Sequence, residues 1–155
     1  MAETAVDHGT VIVGRMINRP AARVFAAYAD ANERVRWAAP SDTAVFFYEK
    51  ADFRVGGLDV ARCGAREDPR FRVESRYMGI LPGHRIVTVD TVHEDTTPLS
   101  VSITTVEFSD SPDGAQVKVT VQVTSFAGAG MIDNTRDGTA GSLNNLVRYL
   151  ERPEA

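Results

Sequence analysis

The stretch Val117-Lys118-Val119-Thr120-Val121-Gln122-Val123-Thr124 alternates apolar and polar residues without a break. Side chains of a strand point to opposite faces with period two, so this pattern specifies a β-sheet with one covered face and one wet face. A second element must cover the valines. The chain offers one at its end, where Leu143, Leu146, Val147 and Leu150 follow the i, i+3, i+4, i+7 spacing of an amphipathic helix. These two segments already demand an α+β arrangement, a sheet packed on a C-terminal helix.

Between Ala44 and Thr124, turn signals recur at strand-length intervals: Gly56-Gly57, Glu67-Asp68-Pro69, Pro82-Gly83, Thr97-Pro98 and Pro112-Asp113-Gly114. They divide the region into about six antiparallel strands, with Asp52-Phe53-Arg54-Val55 reading as the arm of a hairpin that reverses at Gly56-Gly57. Another strand precedes them, TVIVGRMI over residues 10–17. The period then changes to helical: Pro20 suits a first turn, Val24, Phe25 and Tyr28 share a face, and a second short helix covers Asn32 to Val35, ending near Trp37 and before Pro40. Gly138 and Gly141 allow two readings of the last helix. Either they lie inside it and permit a close approach, or the helix begins only at Thr139.

With 155 residues, 43% of them apolar, and no linker or repeat, the chain reads as one domain over residues 1–155 with a core from about 10 to 151. Its net charge of -4, with 17 basic residues scattered along the chain, argues against nucleic acid and anionic membrane surfaces as partners. No basic-then-apolar leader opens the sequence and no run suits a membrane span, so the expectation is a cytoplasmic protein. Cys63 has no partner for an internal disulfide and reads as a small buried hydrophobe.

No catalytic motif stands out. His8, His84 and His93 have no second ligand at metal-binding spacing, His84 reads as a solvated turn residue, and no G-x-S-x-G elbow is present. Neither a metal nor a cofactor is expected. What the pattern does offer is a cavity between sheet and helix. Trp37, Phe46, Tyr48, Tyr77 and Phe108 are candidates for an aromatic wall, and Asp59, Glu74 and Arg136 for inward-pointing polar groups. Asp59 carries added weight because Ala61 and Cys63 share its face, although Leu58 and Val60 form the rival inward set. A carboxylate on a buried face requires a partner or a raised pKa.

The order of elements, with RPAARVFAAYAD, Trp37 and Pro40, DFRVGG, YMGILPGHRIV, TVEFSDSPDGAQVKVTV and TRDGTAGSLNNL, resembles the START-like or SRPBCC superfamily. Within it, the chain resembles the branch shared with activators of the heat-shock protein 90 ATPase. The resemblance runs from Val11 to Leu150. It implies a helix-grip fold: a curved antiparallel sheet of about seven strands wrapped around a long C-terminal helix, with two short helices after the first strand. It also implies that DFRVGG marks the fold and is not a phosphate loop, and that Trp37 sits near the cavity mouth. Trp37-Ala38-Ala39 stands where many relatives carry a tryptophan pair, and Leu58-Asp59-Val60-Ala61-Arg62-Cys63 where aromatics are common, so the implied cavity wall is smaller and more polar. The implied function is binding of a small, largely apolar or aromatic molecule by a monomer or homodimer. A polyketide cyclase or aromatase-like activity in the same cavity and a chaperone-activating interaction module are the alternatives.

Overall fold

The computed structural model describes residues 5–153. Seven strands form one antiparallel sheet: β1 (Asp7–Ile17), β2 (Ala44–Lys50), β3 (Leu58–Ala65), β4 (Asp68–Leu81), β5 (Arg85–Glu94), β6 (Thr97–Ser111) and β7 (Gly114–Ser125). Their spatial order is β1-β7-β6-β5-β4-β3-β2. Two short helices, α1 (Ala21–Ala29) and α2 (Ala31–Trp37), follow β1, and α3 (Gly130–Glu151) ends the chain. This is the helix-grip α+β fold.

The alternating segment behaves as its period dictates. Val117, Val119, Val121 and Val123 are buried, and on the paired strand β1 so are Val11 and Val13. Leu143, Leu146 and Leu150 of α3 close this face, with Val147 packed alongside. The α1 entry is satisfied by a distant side chain: the Ala21 N–H donates to Asp110 Oδ1 at 2.8 Å, which answers one of the unpaired donors at a helix start. Asp30 separates α1 from α2 and accepts the Asn32 N–H at 2.8 Å, a side-chain N-cap.

Three local expectations change. Residues 51–57 are a loop, not a hairpin arm, and β2 already ends at Lys50. A tight turn closes it, with the Gly57 N–H on Arg54 O at 2.8 Å and Gly56 at φ +85°. The Gly56 N–H then donates to Tyr77 O at 2.8 Å and the Tyr77 N–H to Gly57 O at 3.0 Å, so the two glycines dock the loop onto β4. The β5–β6 turn lies at Asp95-Thr96, where Asp95 has φ 53°, and Thr97-Pro98 already belongs to β6. The β3–β4 turn likewise precedes Asp68-Pro69, both of which lie in β4.

Helix α3 begins at Gly130, so Gly138 and Gly141 lie inside it. A Cβ on Gly141 would stand 2.3 Å from Pro40 O. The close approach is therefore to the segment after α2 and not to the sheet. Ser142 Oγ donates to Ala38 O at 2.7 Å and Asn145 Nδ2 to Ala39 O at 2.9 Å, fastening that segment to the helix.

Candidate functional site

Asp59 faces the interior, which decides between the two inward sets proposed for β3. It is 3% exposed, and its partner is Arg34 of α2, 6% exposed. Arg34 Nη2 donates to Asp59 Oδ2 at 2.9 Å and Arg34 Nε to the Tyr48 hydroxyl at 2.7 Å, while Nη1 reaches Tyr28 O. The other Asp59 oxygen, Oδ1, accepts the Asp52 N–H at 2.8 Å, and the Tyr77 hydroxyl donates to Oδ2. Burial raises the pKa of both phenols; for Tyr77 the hydrogen bond to Asp59 adds to the rise. Both therefore remain protonated at neutral pH. The Arg34 guanidinium also lies over the Tyr48 ring, 4.8 Å from its centroid, and Phe53 packs edge-on against Tyr77 at 4.9 Å.

This network joins α2, β2, β3, β4 and the glycine-closed loop. The sequence reading selected Asp59, Tyr48 and Tyr77 but missed Arg34. A signal existed: Arg34 precedes Trp37 by three residues, and a helix places such residues on one face. The buried face of Trp37 is also the face of Arg34.

The other candidates divide. Trp37 is 5% exposed, packs against Tyr28 at a centroid distance of 4.7 Å and donates from Nε1 to Ala27 O at 3.3 Å. It is a core residue, not one at the cavity mouth. Phe108 is also core, edge-on to Phe25 and Tyr28. Phe46 is half-buried against Tyr48 at 5.2 Å. Glu74 lies one residue out of phase with Ser75 and Tyr77, on the outer face, where it pairs with Arg72 at 3.1 Å. Arg136 pairs with Asp133 at 3.0 Å on the exposed side of α3. Neither charge is brought to the interior.

The inner row that holds Asp59 continues across the sheet through Ser75, Asp90 and Ser102. Asp90, which the sequence reading did not single out, accepts from Thr104 Oγ1 at 2.6 Å and from Thr88 Oγ1 at 3.0 Å. Burial raises its pKa, and the neighbouring Ser75, Thr104 and Thr88 hydroxyls offset only part of the rise. A carboxyl whose folded pKa exceeds the unfolded value, about 3.9, stabilises the fold below that value and loses the contribution as pH climbs through the raised one. Asp90→Asn is therefore expected to be more stable than the parent at pH 7, with the difference shrinking toward pH 3. Urea unfolding across that range measures it. A difference that stays constant with pH would show that Asp90 ionises as freely as in the unfolded chain.

An open cavity of about 670 Å³ lies beside this network, between the far ends of β3–β6 and the first half of α3. Cys63, Phe71, Val73, Val92 and Leu99 line it from the sheet side, and Met131, Thr135 and Gly138 from the helix, with Pro40 closing one side. Glu94 and Asp137 supply its carboxylates. None of the eight residues chosen from the sequence lies in this lining. Cys63 is half-buried at the wall instead of enclosed in the core, and burial raises its thiol pKa, so it is mainly protonated at neutral pH. Among the described residues, no group of three or more His, Cys, Asp and Glu side chains is placed to hold a metal ion. No helix there is long and apolar enough to cross a membrane.

The model of the family described as activator of Hsp90 ATPase homolog 1-like protein matches residues 18–151. The chain belongs to this family. Solved structures agree. The Mll3558 protein from Rhizobium loti is 34% identical, with a TM-score of 0.83 over 94% of this chain and 99% of that one. An uncharacterised protein from Rhizobium leguminosarum is 27% identical, with a TM-score of 0.83 over 96% and 98%. The AHSA1-like protein from Aeromonas hydrophila, 20% identical over 95% of this chain and 99% of its own, has a TM-score of 0.72 and shares the fold. No curated protein matches. As an AHSA1-like domain, the chain carries the family's sheet and long C-terminal helix, with the cavity placed between them.

Proposed function

We propose that this AHSA1-like domain binds a small, largely apolar molecule in the cavity between the sheet and α3. The supporting observation is the cavity itself. Its volume of about 670 Å³ falls within the roughly 300 to 1,000 Å³ of small-molecule sites, and its wall is mainly aliphatic and aromatic with a few polar groups at fixed places. The buried network beside it is spoken for internally. Both Asp59 oxygens are already bonded within that network, so Asp59 offers no free base to a molecule in the cavity. This favours binding over the cyclase-like alternative. The chaperone activation named in the family description is a property of other members.

Cys63 provides the test. A neutral aromatic such as 1-aminonaphthalene, occupying the cavity, should slow alkylation of the Cys63 thiol by iodoacetamide in a saturable manner. Val73→Trp, which fills the wall beside it, should weaken that protection at least about tenfold, the equivalent of roughly 1.4 kcal/mol, while the protein stays folded. Alkylation that proceeds at one rate at every concentration of the aromatic would exclude this cavity as its site.

A further inference from the structure

On the opposite side of the Ala38–Pro40 segment, three arginines converge: Arg36 of α2, and Arg148 and Arg152 at the end of α3. They surround a surface depression of about 470 Å³ together with Tyr149, Ser41, Asn145 and one acidic residue, Asp42. We infer that this depression is a binding site for a small soluble phosphate-bearing anion, held by the guanidinium groups of Arg36, Arg148 and Arg152.

Arg23, Arg34, Arg54, Arg62, Arg70, Arg72 and Arg136 each lie within 4.0 Å of a carboxylate oxygen. Among the described residues, Arg36, Arg148 and Arg152 have no such partner, as is also true of Arg15, Arg19, Arg66, Arg76 and Arg85, but these three are the ones gathered around one depression. Two neighbouring acids outside the depression, Glu33 and Glu151, are committed elsewhere. Glu33 accepts from Arg23 and from the Tyr149 hydroxyl at 2.7 Å, and Glu151 accepts the Asn18 N–H at 2.8 Å.

The arginines are also held in place. Two of them lie over the Tyr149 ring, the guanidinium carbon of Arg152 3.9 Å from its centroid and that of Arg36 5.7 Å. Arg148 Nη2 donates to Asn145 Oδ1, and Asn145 is itself anchored on Ala39 O. Arg152 Nη1 donates to Tyr149 O, satisfying a carbonyl of the last helical turn. Each guanidinium uses few of its five donors in these contacts, so the remaining ones are available to a group with several acceptor oxygens. A phosphate meets that demand through bidentate, charge-assisted bonds, which a halide cannot form. Preorganisation by Tyr149 and Asn145 lowers the ordering cost that loose surface arginines would bear.

Calorimetric titration of the full chain with pyrophosphate, with sodium chloride matched for ionic strength, tests the site. Saturable one-to-one binding is expected, with orthophosphate weaker. The Arg36→Gln/Arg148→Gln variant should bind at least about tenfold more weakly, the loss expected for a charge-assisted hydrogen bond. The equally charged control Arg66→Gln/Arg85→Gln, altered at exposed positions of the sheet region, should stay within about twofold of the parent, since only diffuse attraction is removed. Arg148→Lys keeps the charge and loses the fork, so it should fall between them. Heat that never saturates, or an equal loss in the control, would overturn the inference. So would sedimentation of the protein with phosphatidic acid vesicles in the absence of pyrophosphate binding, because the phosphate recognised would then belong to a membrane.

Discussion

A chain that ends at Gly141 should show no cooperative thermal transition. The deletion removes Leu143, Leu146 and Leu150, which are 1%, 0% and 4% exposed and cover the inner valines of β1 and β7. Each such burial is worth roughly 1.5 to 3 kcal/mol, and the three together approach the roughly 5 to 15 kcal/mol of a whole domain. Polar ties go with them. Asn145 no longer holds Ala39 O, Asn144 no longer accepts from Arg15 at 2.9 Å, and Glu151 no longer accepts the Asn18 N–H. Calorimetry of the truncated chain decides the matter, since a sharp, reversible endotherm would mean that the sheet and the two short helices make a core without α3.

The second large effect concerns the Arg34–Asp59 pair. Arg34→Met should destabilise the protein by about 3 to 5 kcal/mol, because it leaves the Asp59 carboxylate buried without its cation. For a chain of this length that corresponds to a fall in Tm of roughly 6 to 20 °C. The double variant Arg34→Met/Asp59→Leu should recover most of the loss, since an apolar pair of similar volume has no charge to desolvate. The Asp52 N–H would still lose its acceptor, so recovery should stop short of the parent, with about 1 to 3 kcal/mol missing. Chemical denaturation of the parent, both single variants and the double variant completes the cycle. Additive losses would show that the two charges do not interact across their 2.9 Å contact.

The residues behind these two effects differ in how legible they are along the chain. Leu143, Leu146, Val147 and Leu150 announce themselves because a helix repeats every 3.6 residues, and the 117–123 valines because a strand repeats every two. Arg34 carries no such mark. Its environment is set by residues 14 and 25 positions along the chain, Tyr48 and Asp59, which only folding brings to it. Glu74 shows the complementary failure. Alternation divides β4 into two sets but does not say which is inner, and the register shift between Tyr77 and Gly79 changes the phase along the strand.

The glycines follow the same division. Gly56-Gly57 is legible as a reversal, since positive φ is local chemistry. That the reversal docks on Tyr77 and brings the Asp52 N–H to Asp59 depends on β4 lying beside it. Gly141 is equally conspicuous, yet its partner is Pro40 O, about a hundred residues earlier in the chain.

The sequence by itself determined the order of the elements and the need for a helix to cover the valine face, because both rest on short-range periodicity and turn chemistry, while the family resemblance rests on the motifs and their order. The tertiary structure alone decided where empty space remains and which charges meet. Two of the aromatics selected as cavity wall, Trp37 at the end of α2 and Phe108 of β6, became core because both pack against Tyr28 of α1. The cavity opened instead among Cys63, Phe71, Val73 and the first half of α3. A void is set by the separation of packed elements, and no residue's own propensity encodes that distance.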